Sequence, residues 1–220
     1  MTNTNDKTQE QLKAIKQSFR LMMDGHTAAS MRDKGLNYKL NWGASLPMLK
    51  EQATEIGKNY DLAIALWKEN IRECKILATM VMPADKMLPE VVDIWMEQMP
   101  SQEMAEQAAF NLWQHLPYAP MKAYQWMASD RELYQLCGFH VMSRLFMNGQ
   151  EPNERGINEF LDQLLSAIQG PFPSVRKAAM QAAIRFADLG LVYERMAKSA
   201  LKSINLDFFL NDYCFHVKKK

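Results

Sequence analysis

The sequence is poor in the two residues that break helices. Only 9 glycines and 9 prolines occur among its 220 residues, and long stretches contain neither. An all-β fold needs many tight turns, where Gly and Pro concentrate, so their scarcity favours helices. No stretch alternates apolar and polar residues for long enough to predict a strand. We therefore expect an all-α chain.

Cysteines are few, and no apolar run is long. Cys74, Cys137 and Cys214 lie far apart and form no C-x-x-C pair, which favours reduced thiols in a cytosolic protein over a disulfide framework. The polar N-terminus lacks the apolar core of a signal peptide. No segment approaches the roughly 20 apolar residues that span a bilayer. We expect a cytoplasmic protein with no membrane partner.

Neither sign of charge dominates, since 26 Lys and Arg face 25 Asp and Glu, for a net charge of +1. A dedicated non-specific nucleic-acid binder is usually more basic. DNA binding would therefore depend on how the charge is distributed over the surface. The hydrophobic share of 48% is typical of a globular protein.

Several motifs that identify enzymes are missing. The sequence has no Gly-rich phosphate loop, no G-x-S-x-G and no Cys/His nucleophile pair. The four histidines (His26, His115, His140 and His216) show neither H-E-x-x-H nor the spacing of Cys/His zinc ligands. We predict no metal and no cofactor. The 17 methionines are expected to fill gaps between helices, because Met is unbranched and flexible.

Apolar residues recur at intervals of three and four along most of the chain, as on the buried face of a helix. The predicted helices cover residues 9–23, 27–34, 62–67, 71–82, 86–99, 104–116, 124–128, 131–147, 156–168, 175–189 and 191–204, with a further helix starting at 45–47. Ser45, Asp61, Asn153 and Ser174 are the predicted N-caps. Pro or Gly at the joints favours antiparallel pairs. Openings near Asp85, Ala119 and Asn153 repeat at about 34 residues, as in a helical solenoid, although a compact bundle would give a similar pattern.

Three stretches resemble the HEAT-like-repeat DNA alkylation-repair family. Residues 62–78 read LAIALWKENIRECKILA, similar to a family helix-turn-helix in which "LA..LW" runs into "I.E.R.LA". Residues 41–49 read NWGASLPML, similar to the "G.S.P.L" start of the first repeat. Residues 174–179 read SVRKAA, similar to a "VRKA" helix start. Together they cover roughly residues 38–204.

The resemblance implies a right-handed α-α superhelix, or solenoid, of HEAT-like helical repeats whose concave face binds double-stranded DNA. It implies one domain, 1–220, with an N-terminal helical cap (1–37), repeats (38–204) and a C-terminal tail (205–220). Active members excise positively charged N-alkylated purines. In them an Asp stabilises the cationic sugar, Trp faces stabilise the leaving base, and Arg and Lys hold the phosphates.

The positions that carry the family's chemistry differ here. Trp113 matches a family Trp, but the catalytic Asp position four residues later is Pro117, which has no carboxylate and ends helices. Gln181 stands where the last repeat has a Trp, and Arg185 lies one place from the family Arg. The middle helix, where an Arg pair is usual, has Gly138. We expect reduced or no base excision.

The remaining candidate residues are each open to a structural interpretation. The groove candidates are Trp113, His115 and Tyr118, and the DNA-phosphate candidates are Arg176, Lys177 and Arg185. A Trp on an apolar helix is more often core, and a basic pair at a helix N-terminus either meets a phosphate or is solvated. Glu73, between Arg72 and Lys75, favours a structural ion pair. Lys218, Lys219 and Lys220 are expected to form an exposed tail.

Two other functions are compatible with the sequence. One is a helical-repeat scaffold that binds a protein or peptide in its groove and has no role on DNA. The other is an active glycosylase that uses different groups, for example His115 or Glu73. The DNA-binding hypothesis predicts a continuous basic stripe on the concave face containing Arg176 and Lys177, whereas the scaffold predicts a neutral or acidic groove.

Overall fold

The computed structural model describes residues 4 to 205, and over this range the chain is helical. The α-helices are α1 (Thr4–Ser18), α2 (Gly25–Asp33), α3 (Leu46–Ile56), α4 (Tyr60–Lys68), α5 (Arg72–Val81), α6 (Pro89–Glu97), α7 (Gln102–Asn111), α8 (Ala119–Met127), α9 (Glu132–Met147), α10 (Glu154–Gln169), α11 (Pro173–Ala187) and α12 (Leu191–Lys202). Two 3-10 turns lie at Ala84–Lys86 and Trp113–His115. Cys214, His216 and the three terminal lysines lie outside the described residues. None of the described helices is long and apolar enough to cross a membrane.

The chain divides into two compact units between Pro117 and Tyr118. In the first unit, the indole of Trp67 stacks on that of Trp95, with ring centroids 4.1 Å apart. The second unit is built around the rings of Phe146, Phe160 and Phe186, whose centroids lie 5.0 to 5.4 Å apart. Each unit therefore has its own buried aromatic centre. The single-domain organisation remains a prediction.

Side-chain hydrogen bonds in the first unit recur at an almost constant sequence separation. They join Trp67 to Gln98, Arg72 to Glu103 and Asn111 to Thr79, at separations of 31, 31 and 32 residues. Equivalent positions of successive repeats are therefore in contact, as expected of stacked helical pairs. In the second unit the separation is 32 residues for Tyr124 and Gly156 but 42 for Ser174 and Glu132. The predicted period of about 34 lies between these values.

Most helix boundaries agree with the sequence analysis to within a few residues, but two predicted caps are wrong. Asn59, rather than Asp61, caps α4, because its side chain accepts a hydrogen bond from the Leu62 N–H at 3.0 Å. α11 begins at Pro173, a residue suited to the first turn, and the Ser174 hydroxyl donates to Glu132 instead of capping.

Asn153 does cap α10, since its Oδ1 accepts from the Gly156 N–H at 2.8 Å. Ser45 occupies the cap position of α3, although its side chain makes no capping hydrogen bond. The helix predicted at 124–128 is longer than expected, because Pro120 is accommodated in the first turn of α8.

Candidate nucleic-acid interface

α11 turns one polar row toward solvent. Its buried positions are Val175, Ala178, Ala179, Ala182, Ala183, Phe186 and Ala187. Lys177, Gln181 and Arg185 follow one another at four-residue intervals, and all three are exposed. Residues four apart share a helix face, so these three form a single line along the helix, which we call the α11 row.

α9 packs beside α11 and runs in the same direction. The Ser174 hydroxyl, at the start of α11, donates to Glu132 at the start of α9. Near the other end, Arg185 is close enough to Arg144 to act on it electrostatically. The N-terminal ends of α9 and α11 are in contact, and so are their C-terminal parts. The two helices are therefore parallel neighbours, as expected of corresponding helices in successive repeats.

Arg144 brings a second guanidinium to the end of the α11 row. Burial lowers the pKa of Arg144, and the positive charge of Arg185 lowers it further. Arg185 also pairs with Asp188 at 3.2 Å, with side chains 45% and 35% exposed, so this ion pair is screened by water. Arg144 is not a candidate from the sequence alone, because no motif near it indicates that it lies against α11.

Arg176 is engaged inside the fold. Its Nη1 donates to the carbonyl oxygen of Gly170, the C-cap of α10, at 2.7 Å, and the side chain is partly buried. Arg176 therefore holds the connection between α10 and α11. Of the predicted phosphate contacts, Lys177 and Arg185 remain on the exposed row.

The stretch predicted to correspond to the family's catalytic helix is not one continuous helix. The predicted helix over 104–116 is too long, because α7 ends at Asn111 and a 3-10 turn follows over Trp113–His115. The side chain of Gln114 donates to the Phe110 carbonyl oxygen at this helix end. Pro117 restricts the preceding residue to extended backbone, which keeps the helix from resuming. Trp113 and position 117 therefore do not share a helix face.

Trp113 is completely buried. Its indole belongs to the core of the first unit, so we do not place it on a groove surface. Pro117 and His115 are exposed, whereas Tyr118 is half-buried at the N-cap of α8. The indole of Trp113 is buried because its sequence neighbours Leu112 and Leu116 are apolar and are also buried.

Gly138 lets α8 and α9 approach closely, in the helix where the family resemblance predicts an Arg pair. A Cβ on Gly138 would lie 2.7 Å from the backbone nitrogen of Met127 and 2.8 Å from the carbonyl oxygen of Ala123. No side chain fits there without a shift of the α8 backbone. An arginine at this position is therefore incompatible with this helix pair.

Glu73 is fully buried, and its carboxylate is occupied by structural partners. It accepts hydrogen bonds from the backbone N–H groups of Trp42, at 3.2 Å, and Ala44, at 3.3 Å. The Arg72 guanidinium lies 3.3 Å away and also binds Glu103 at 2.7 Å. The predicted structural ion pair is present, with Arg72 as the partner. Glu73 therefore ties the loop before α3 to α5.

The buried thiols are not nucleophiles. Burial raises the pKa of Cys74 to about 12 and raises that of Cys137 well above its usual value. Both groups stay protonated near neutral pH, and the thiol is a much weaker nucleophile than the thiolate. Among residues 4–205, no group of three or more His, Cys, Asp or Glu side chains is arranged to hold a metal ion.

Comparison with known proteins identifies the family. A family model described as "DNA alkylation repair enzyme" matches residues 15–185. The chain belongs to this family. The match covers the three stretches on which the resemblance was predicted, and it ends on the last residue of the α11 row. No curated protein matches the chain significantly.

This DNA alkylation repair family member also resembles a solved structure. That protein is described as belonging to "a new family of proteins related to the HEAT-like repeat DNA glycosylases with affinity for branched DNA structures". The TM-score is 0.78 and the identity 18%, over 87% of this chain and 82% of that one. At this identity the likeness establishes the fold. The predicted all-α superhelical class of HEAT-like repeats is confirmed.

Proposed function

We propose that this family member binds DNA through the α11 row together with Arg144, and that it has reduced or no base-excision activity. The observation that carries the interface is the exposure of Lys177, Gln181 and Arg185 at four-residue intervals on α11, beside the half-buried Arg144 of α9. Phosphates bound along this row would release condensed counterions. The predicted cytoplasmic location is part of the same proposal.

The spacing of the α11 row suits an extended polyanion. Eight residues of α-helix rise about 12 Å, so Lys177 and Arg185 would contact different phosphates of the same backbone. Gln181, between them, adds hydrogen-bonding capacity without charge. Such contacts position a nucleic acid without reading its sequence, which fits a protein whose net charge is only +1.

The absence of the usual catalytic groups supports reduced or no excision. Position 117 is an exposed proline, position 181 an exposed glutamine, and position 138 a buried glycine. In active members, as the resemblance implies, a carboxylate stabilises the cationic sugar. The one carboxylate suggested by the sequence, Glu73, is buried and bound by Arg72 and two backbone N–H groups.

Because the solved relative has affinity for branched DNA, binding should be measured with a branched DNA as well as with a plain duplex. We propose that duplex arms of either substrate contact the α11 row. A protein or peptide partner is the alternative, and it predicts that DNA is not retained at low salt.

The test is fluorescence anisotropy with a labelled duplex and a labelled four-way junction. We expect the double variant Arg144→Gln/Arg185→Gln to bind both the duplex and the four-way junction more weakly than the wild type. The slope of log K against log salt should fall by about 2, because each phosphate contact contributes roughly 0.9. Arg155→Gln is the matched control: it removes an exposed arginine of the same unit, from α10 rather than from the interface, and should leave affinity unchanged.

Two results would overturn the proposal. If the wild type binds neither DNA at low salt, the DNA-binding function fails and the scaffold is favoured. If it binds DNA but the double variant binds equally well with the same salt slope, the assigned face is wrong. Thermal unfolding of each variant establishes that a loss of affinity does not come from unfolding.

A further inference from the structure

A second cationic surface lies in the first unit, beside α1. It is a groove of about 350 Å³ whose lining includes Lys13, Lys16, Arg20, Trp42 and Glu69. We call it the α1 groove. Its volume is that of a site for one small molecule or one nucleotide rather than for a whole duplex.

The charges of the α1 groove favour an anion. Lys13 and Lys16 lie three residues apart on one face of α1, and Arg20, just after the end of α1, lines the same groove. Lys16 Nζ pairs with Glu69 at 2.8 Å, which neutralises one of the three. Lys13 and Arg20 are exposed and leave the lining with an excess of positive charge.

The backbone of Trp42 is held in place by hydrogen bonds to Glu73 and Asp24. Its N–H donates to both carboxylate oxygens of the buried Glu73 at 3.2 Å. Its carbonyl oxygen accepts from the Asp24 N–H at 2.9 Å. Two residues earlier, Leu40 is bridged to Ile71 through the backbone. The indole is therefore presented to the groove by a segment held at three points.

Trp42 differs from the other tryptophans of the chain. Trp67, Trp95, Trp113 and Trp126 are each 2% exposed or less, whereas Trp42 is half-buried. Its Nε1–H is enclosed and has no hydrogen-bond acceptor. A ligand can therefore reach only the exposed part of the Trp42 side chain and not its Nε1–H.

We propose that the α1 groove binds an unpaired nucleotide of a DNA strand. The base lies against the Trp42 indole, and the flanking phosphates contact Lys13 and Arg20. A cationic groove combined with an aromatic face is the usual means of binding a single strand. Bases within a duplex are stacked on each other, so only an unpaired one can offer its face. The inference rests on the proposed DNA-binding function and adds a second, strand-specific contact.

The test uses the tryptophan fluorescence of the intact chain, because a ligand in the groove reaches Trp42 and not the four buried indoles. An oligothymidylate of about eight nucleotides should quench the emission to a plateau. An abasic oligomer of the same length should bind more weakly and quench little, because it supplies phosphates without a base. Quenching by the abasic oligomer equal to that by oligothymidylate would contradict stacking on Trp42.

Variants then assign the contact. Lys13→Gln/Arg20→Gln should weaken oligothymidylate binding at least tenfold and lower the salt slope by about 1.4, since each single-strand contact contributes roughly 0.7. Trp42→Phe should abolish the quenching while the labelled oligomer still binds, a few-fold more weakly. Lys7→Gln, an exposed lysine of α1 outside the groove, is the matched control and should behave as the wild type.

The outcomes separate this inference from the proposed function. If the Lys13→Gln/Arg20→Gln variant binds oligothymidylate as the wild type does, or if saturating oligothymidylate leaves the emission unchanged, the groove assignment is wrong, whatever the duplex measurements give. If the wild type binds no duplex or junction yet oligothymidylate still quenches Trp42, the interface on α9 and α11 fails and the groove stands. Arg144→Gln/Arg185→Gln should leave the quenching unchanged.

Discussion

At the residue scale, Arg72 and Glu73 lie in a stretch that resembles the family, and both have a structural role. The two side chains are 2% and 0% exposed, and a buried charge is tolerated only when it is paired and hydrogen-bonded. Arg72 also donates to the Ala44 carbonyl oxygen at 3.1 Å, so both charges fasten the loop before α3. The same loop carries Trp42.

Arg72→Met should strongly destabilise the protein, because it leaves the Glu73 carboxylate buried without its cation. We expect a loss of about 3–5 kcal/mol in the free energy of unfolding, measured by urea denaturation. Glu69→Gln, which breaks the partly exposed pair with Lys16, is the comparison and should cost less than about 1 kcal/mol. Equal losses in the two variants would show that burial of the Arg72 pair is not what matters.

At the scale of the element, the closeness of α8 and α9 depends on one position. Gly138 is a poor choice for the middle of a helix, since Gly costs about 1 kcal/mol relative to Ala there. It is present because the backbone of α8 passes where a Cβ would be. From the sequence, Gly138 indicates only that an arginine is missing, whereas the packing shows that the glycine allows α8 and α9 to approach closely.

Gly138→Ala should therefore destabilise the chain although alanine is the better helix former. Overpacking against backbone atoms costs about 1–3 kcal/mol, more than the gain in helix propensity, and the melting temperature should fall. Gly25→Ala is the control: it lies in the first turn of α2 with nothing within 4 Å of the added Cβ. It should be neutral or slightly stabilising, and a similar fall in both variants would argue against the steric explanation.

At the scale of the whole molecule, base excision would require groups from several repeats together. The resemblance predicts the family's Asp and Trp at positions 117 and 181, after α7 and on α11, and an Arg pair in the helix that carries Gly138, α9. Each is changed for a different local reason: a helix that ends early, a polar substitution, and a close helix contact. Restoring one position leaves the others unchanged, so activity should not return by single substitution.

We expect far less release of 7-methyl- or 3-methylpurines from alkylated DNA than an active relative gives, or none above a no-protein control. Pro117→Asp should not create the activity either, because position 117 follows the end of the helix and Trp113 is buried. The measurement is chromatography of released bases, with an active relative as positive control. Release by the wild type at a rate similar to that of the active relative would establish the third hypothesis, an active enzyme with non-standard groups.

The sequence by itself determined the helical class, the family and most helix positions. Periodic apolar residues, Asn153 as a cap, and the motif around Trp67 are local signals, and each depends on neighbours within a few residues. The assignment of Pro117 and Gln181 to the family's Asp and Trp positions stays a prediction from the resemblance.

Only the tertiary structure decided which candidates are surface and which are core. Trp113 is buried and Arg176 is bound to Gly170, while Arg144, which no motif indicates, lies beside Arg185. Arg144 meets Arg185 from the neighbouring repeat, and Arg176 meets Gly170 across the turn between α10 and α11, so neither contact is contained in the periodicity of one helix. The physical reason is that repeats stack, and each helix meets its partner across one repeat length.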